Sequence, residues 1–292
     1  MDWAIRTEGL TRHFGAIRAV DGLSLQVPKG CVFGFLGPNG SGKTTTLRLL
    51  LGLLEPTDGR AEVLGYDTRA EADAIRARVG ALLEHYGLYE RLSAEDNLEF
   101  YGRIYRLTRP QRCERMEQLL THLDLWERRR EPVGDWSRGM KQKLVIARTL
   151  LHAPSLVFLD EPTAGLDPVA SAALRDDIAG MARHEGATVF LTTHNLPEAE
   201  RLCDLVGVIR QGRLLAVGSP AELRARASHP TLIVRGRRLE AGAAALESRP
   251  EVAEAAPLVS LLVSAGAEVE EVRKDTASLE DVFLALVQEV GE

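Results

Sequence analysis

The chain has little cysteine. Cys31, Cys113 and Cys203 are three residues in 292, odd in number and far apart, which excludes a disulfide framework and the close spacing of a zinc knuckle or redox motif. The expectation is a reducing compartment and no structural metal. Positive charge is not in excess either: 36 Lys plus Arg against 42 Asp plus Glu leave a net charge of −6, so no bulk field holds nucleic acid or anionic lipid. Long apolar runs are missing. Leu156 to Leu159 and Leu258 to Val263 fall far short of the roughly 20 residues a membrane-crossing helix requires, so any membrane-spanning work would fall to another chain. Residues Met1 to Glu8 contain no basic stretch leading into an apolar core, and no secretory signal is expected. What remains is ordinary globular composition, 45% hydrophobic and 27% charged, in a chain long enough for one large domain or a large domain with a small appendage.

To about Pro220, short β-rich runs alternate with segments of helical period, the pattern of an α/β domain around a largely parallel sheet. Val32 to Leu36 reads as a buried strand entering a glycine-rich turn, with a helix leaving it over Thr44 to Leu54. Leu156 to Leu159 and Val189 to Thr192 read as two more buried strands. Met116, Leu119, Leu120 and Leu123 recur at helical spacing behind Pro110, which suits a first helical turn. With Ser93 to Arg106 they make a helix-rich stretch. Asp167-Pro168 opens a further helix with Leu174, Ile178 and Met181 on one face, and Ser219-Pro220-Ala221-Glu222 combines a cap, a helix-starting proline and an acid. After about Ala227 the composition shifts to Arg, Ala and Glu without glycine-rich loops. There Leu232 to Arg235, Leu258 to Ser264 and Glu268 to Val272 are predicted strands, and Ser278 to Val287 a capped helix presenting Leu279, Val282, Phe283 and Leu286.

Gly37-Pro38-Asn39-Gly40-Ser41-Gly42-Lys43-Thr44, followed by Thr45, matches the phosphate-binding loop between a predicted strand and a predicted helix. Small glycines let backbone N–H groups converge on phosphate oxygens at the positive end of the helix. Lys43 supplies a charge for the β- and γ-phosphates and the Thr44 hydroxyl a hard oxygen for Mg²⁺. The strand Leu156 to Leu159 ends in Asp160 and Glu161, at the carboxyl edge where parallel sheets bind ligands. Asp160 is the candidate metal carboxylate and Glu161 the candidate base toward water. An isolated Asp-Glu pair would more often be a solvated strand end; the phosphate loop upstream favours the functional reading.

Trp136-Ser137-Arg138-Gly139-Met140-Lys141-Gln142-Lys143, ahead of the acidic strand, resembles the signature of the nucleotide-binding subunits of ABC transporters, Leu-Ser-Gly-Gly-Gln. Ser137 and Gly139 match, whereas Trp136, Arg138 and Met140 depart. The variant is similar to exporter ATPases for drugs, antibiotics or lipids. The resemblance covers about residues 3 to 220. Ala164-Gly165-Leu166-Asp167 takes the place of the D-loop, His194 that of the switch histidine facing the γ-phosphate, and Phe14 that of the aromatic stacked on adenine. Where the family has the Q-loop glutamine, Glu84 stands as the candidate replacement and a third possible Mg²⁺ ligand.

The resemblance implies a P-loop NTPase core of ABC type with an antiparallel β subdomain and a helical subdomain over about 85–153, in a domain of residues 1–226. A small C-terminal α/β accessory domain would occupy 227–292. It implies ATP and Mg²⁺ as cofactors, and Glu161, His194 and Lys43 as catalytic groups. Ser137, Gly139 and Met140 would face nucleotide bound to a second copy in a head-to-tail homodimer. The protein would power a separate transmembrane permease from the cytoplasmic face, with Tyr86, Leu88 and Tyr89 as candidate contacts or as local core. A soluble ABC-type ATPase acting on ribosome or DNA is the alternative. It is disfavoured by the single phosphate loop and the absence of sustained heptads, and no nucleic-acid partner is expected.

Overall fold

The computed structural model describes residues 2–83, 86–227, 231–239, 255–275 and 278–289. Its residue contacts divide the chain into two units, Met1–Pro220 and Ala221–Glu292.

The first unit opens with β1 (Trp3–Phe14) and β2 (Ile17–Pro28), then β3 (Val32–Leu36), α1 (Lys43–Leu50), β4 (Asp58–Val63), β5 (Tyr66–Asp67), α2 (Ala72–Arg76) and β6 (Val79–Leu82). Next come α3 (Ala94–Ile104), α4 (Arg109–His122) and α5 (Arg138–Leu150), a helical segment inserted before β7 (Leu156–Asp160). The unit closes with α6 (Pro168–Glu185), β8 (Thr188–Thr193), α7 (Leu196–Leu202), β9 (Leu205–Arg210) and β10 (Arg213–Gly218). Pro220–Ala227 forms α8.

Two sheets result. An antiparallel one runs in the order β2-β1-β4-β5, and a six-stranded one runs β10-β9-β3-β8-β7-β6, parallel except for β9 with β10. Every residue of β3, β7 and β8 is buried, as expected of strands covered on both faces. Phe33, Phe35 and Phe158 all pack their rings on Phe190. The register pairs Leu36 with Thr193 and Asp160 with Thr192, so the carboxyl ends of three neighbouring strands finish on one edge. That edge carries the site.

Helix α1 stops at Leu50 rather than Leu54. Gly52, at φ 62°, donates its N–H to Leu49 O, and Leu53 donates to Arg48 O, a left-handed termination that glycine permits. Ser93 caps α3 by accepting from Asp96 N, and α4 buries Met116, Leu119 and Leu120.

In the second unit, β11 (Thr231–Arg237) pairs antiparallel with β12 (Glu268–Asp275). The run Leu258 to Ser264, predicted as a strand, is a helix, α9 (Ala255–Ser264). Leu258 and Leu262, four residues apart, are buried together against Ala267, whereas Ser260 and Val263 are exposed. That is the period of a helix, and Leu-rich composition masked it. Ser278 caps α10 (Leu279–Glu289), with Leu279 and Val282 buried. The Met181 and Leu286 side chains lie outside the described set.

Candidate functional site

The loop from Gly37 to Gly42 connects β3 to α1. A Cβ on Gly37 would lie 2.4 Å from Ile209 O and 2.5 Å from Ser41 Oγ, and one on Gly42, at φ 107°, would lie 2.2 Å from Ala19 O. Only glycine lets the chain pass there. Helix α1 has no acid in its first turn, so no carboxylate of its own opposes its positive end. Lys43 is 6% exposed; its Nζ donates to Gly37 O at 2.8 Å and to Pro38 O at 3.3 Å, and stands 3.4 Å from Glu161 Oε1. The Ser41 hydroxyl is buried without a hydrogen-bond partner.

At the end of β7, Asp160 accepts the Thr44 hydroxyl on Oδ2 at 2.8 Å and the Thr192 hydroxyl on Oδ1 at 2.5 Å. Glu161 follows in a left-handed conformation, φ 48°, its N–H donating to Thr192 O and Oγ1, each at 3.1 Å. Its Oε2 is 2.9 Å from His194 Nδ1. The other oxygen, Oε1, is buried with no hydrogen bond and lies 3.4 Å from the Lys43 ammonium. The carboxylate is thus held between a cation and an imidazole.

These groups open on a cavity of about 880 Å³, whose lining includes Asn39, Gly40, Thr45, Tyr86, Trp136 and Arg138 besides Lys43, Thr44, Asp160 and Glu161. The remaining candidates are elsewhere. Ser137 caps α5, accepting from Met140 N at 3.3 Å. With Gly139 and Met140 it lines a separate hollow of about 220 Å³ shared with Leu166 and Ala170. Asp167 caps α6, accepting from Val169 N and Ala170 N. Phe14 ends β1 at 44% exposure, its ring beneath the Arg12 guanidinium at 4.7 Å and outside the cavity lining, to which Ile17 across the turn belongs. Glu84 lies outside the described residues.

Several residues that position the site were given no positioning role from the sequence. Thr192 holds both Asp160 and the Glu161 backbone. Gln142, 5% exposed, donates to Pro162 O at 2.6 Å, and Arg138, one turn earlier on α5, donates to Ala164 O at 2.9 Å and to Tyr86 Oη at 3.2 Å. Two prongs of one helix face therefore grip the turn that follows Glu161.

The residues fit a magnesium-bound nucleoside triphosphate. A Thr hydroxyl and a carboxylate form a pair of hard oxygen donors. An orphaned serine hydroxyl and glycines with no room for a side chain surround a buried lysine, the donor arrangement of a phosphate cradle.

Comparison with known proteins places these features in context. A family model described as ABC transporter matches residues 20–164. The chain is 43% identical over 224 residues to the daunorubicin resistance ATP-binding protein DrrA3 of Streptomyces coeruleorubidus, covering 77% of this chain and 71% of that one. It is 40% identical over 219 residues to the Nod factor export ATP-binding protein I of Ralstonia nicotianae, covering 75% and 68% respectively. A solved ATP binding subunit of an ABC transporter superposes with a TM-score of 0.69 at 31% identity, over 76% of this chain and 92% of that one.

Proposed function

The chain belongs to the ATP-binding proteins of ABC transporters, ATPases coupled to transport, and we propose that it drives an exporter whose membrane-spanning part is a separate chain. Relatives named for drug resistance and Nod factor export support the direction of transport. Among the described residues no helix is long and apolar enough to cross a membrane; the reading assigns the span to a separate permease and this chain to its cytoplasmic face. Tyr89, Phe100 and Ile104 are exposed, the first two with rings 5.0 Å apart. They offer the permease an apolar surface.

The observation that carries the mechanism is the Glu161 carboxylate, held between Lys43 and His194 beside the Thr44–Asp160 pair. Thr44 and Asp160, with Glu84 as a further candidate, would hold Mg²⁺, which when bound neutralises charge on the β- and γ-phosphates. Lys43 leaves Gly37 O, Pro38 O and Glu161 for phosphate oxygens when ATP enters, and this frees Glu161 Oε1. Glu161 then accepts a proton from a water whose oxygen attacks the γ-phosphorus, and the bond to the ADP oxygen breaks. His194 holds Glu161 in orientation and faces the γ-phosphate. Phe14 stacks on adenine once Arg12 moves aside.

Ser137, Gly139 and Met140 line a hollow apart from their own phosphate loop, which supports their acting on nucleotide held by a second copy, in a head-to-tail homodimer. Asp167 lies on the D-loop between the two sites. The residues after Pro220 form an accessory domain that adjusts the motor without supplying catalytic groups.

Nucleotide binding and turnover test this reading. Lys43→Ala should weaken ATP binding, whereas Glu161→Gln should bind ATP and lose about 10²–10⁴ in turnover, the range of general-base catalysis. Full activity of Glu161→Gln would overturn it.

A further inference from the structure

Thr163 and Thr193 sit on different segments of the chain. Thr163 lies two residues after Glu161 on the turn leaving β7, and Thr193 ends β8 immediately before His194. Both donate their hydroxyls to one atom, Glu198 Oε2, at 2.9 Å and 3.1 Å. Glu198 is 1% exposed, on α7. Its own place is fixed by a relay: Glu198 N donates to Asn195 Oδ1 at 3.1 Å, and Asn195 N donates to Thr193 Oγ1 at 2.9 Å. The second carboxyl oxygen is buried with no hydrogen-bond partner.

A carboxyl group buried in this way is costly unless its environment needs it. Burial pushes its proton affinity above the ordinary glutamate value. What the group does geometrically is specific: a single oxygen joins the loop carrying the base to the loop carrying its imidazole partner. The 2.9 Å approach of Glu161 to His194 is made by two side chains that share no backbone element, and the left-handed Glu161 backbone passes directly into the turn that Thr163 anchors.

We propose that Glu198 is a positioning residue for ATP hydrolysis, a buried bridge between Thr163 and Thr193 that sets the separation of Glu161 from His194. This rests on the assignment of Glu161 as base. Glu198 touches neither Lys43 nor Thr44, so its effect falls on turnover and not on nucleotide binding. Misplacement by about 1 Å can cost up to roughly 10²-fold in rate.

Steady-state turnover of Mg-ATP by the purified full chain tests the bridge, at concentrations where the wild type is active and with melting curves to check folding. Glu198→Ala should lower kcat about tenfold or more while KM for ATP stays within about threefold, the pattern of an interaction expressed in the transition state. Glu198→Gln presents an amide carbonyl that accepts the same two hydroxyls, and should retain kcat within about threefold of wild type. Thr163→Val removes one arm without emptying the buried position and should lower kcat about three- to tenfold; added to Glu198→Ala it should cost nothing further. Should Glu198→Ala fail to fold, Thr163→Val decides. Wild-type kcat in Thr163→Val or in folded Glu198→Ala, or a Glu198→Gln variant as impaired as alanine, would overturn the bridge. Glu161→Gln is measured alongside: if it turns over normally, the base assignment has failed and not the bridge.

Discussion

His152 makes the stability of the first unit depend on pH in a calculable way. It follows α5 and stacks on Tyr105 with ring centroids 3.7 Å apart and planes at 4°. Its Nε2 lies 3.2 Å from Val79 O, and since a carbonyl only accepts, Nε2 carries the proton of a neutral imidazole. Protonation would place a second N–H on Nδ1, which is buried without a partner. Burial, reinforced by repulsion from Arg115 and opposed by the Val79 bond, takes the group from its ordinary 6.5 down to about 4. In the folded chain the neutral form is therefore favoured. Above pH 6.5 neither state is protonated and the stabilisation is complete; as pH falls from 6.5 toward about 4, the unfolded chain takes up a proton that the folded chain refuses, and stability is lost. Linkage gives a loss of at most roughly 2 kcal/mol at pH 5. For a unit of this size that is roughly 4–8 °C in melting temperature. His152→Phe keeps a ring on Tyr105 and removes the titration, at a pH-independent cost of about 1 kcal/mol for the Val79 bond. Scanning calorimetry of both proteins at pH 7.5 and pH 5 reads the difference of differences. If wild type and variant lose the same melting temperature between the two pH values, His152 is not held neutral by its site.

Three further outcomes are expected. Gly37→Ala drives a Cβ to 2.4 Å from Ile209 O and should raise the ATP dissociation constant at least about tenfold, about 1.4 kcal/mol, by equilibrium titration. Glu84→Gln should keep ATPase activity within about tenfold of wild type, whereas Glu84→Ala should lose more and recover at high Mg²⁺, because mass action restores a weakened metal site; alanine matching wild type at every Mg²⁺ concentration would remove Glu84 from the site. Truncation after Pro220, the boundary between the two units, should leave ATP binding intact, and loss of binding in a truncated chain that still folds would contradict the accessory role.

The parts of this fold that were legible in the sequence are those in which one local pattern suffices. Val32 to Leu36 is wholly apolar because β3 is covered on both faces, and glycines mark the turn after it because no side chain fits there. Leu258 to Ser264 was misread because Leu and Val serve a buried strand and a short helix equally well; only the four-residue interval between Leu258 and Leu262 separates them. Thr192 and Glu198 carried no signal, and Gln142 entered only as part of the signature-like motif, with no positioning role. Each acts through a partner distant in sequence: Thr192 on Asp160, Gln142 on Pro162 O, and Glu198 on Thr163. Threonines inside a buried strand look like β-formers, and a glutamate near a helix start looks like a solvated acid favoured by the dipole. The placement of Ser137 at a helix start was legible through the resemblance; the fold adds its hollow with Leu166 and Ala170, apart from its own phosphate loop.

Sedimentation velocity of the full-length Glu161→Gln chain with saturating Mg-ATP tests most directly the claim that two copies enclose the nucleotide they hydrolyse. The variant should sediment as a dimer with ATP and as a monomer without it. Adding Ser137→Arg to the same chain should return it to monomer while ATP remains bound, because Ser137 would face the nucleotide of the other copy. A Glu161→Gln chain that stays monomeric with ATP bound, or a double variant that dimerises as well as the single one, would contradict the account.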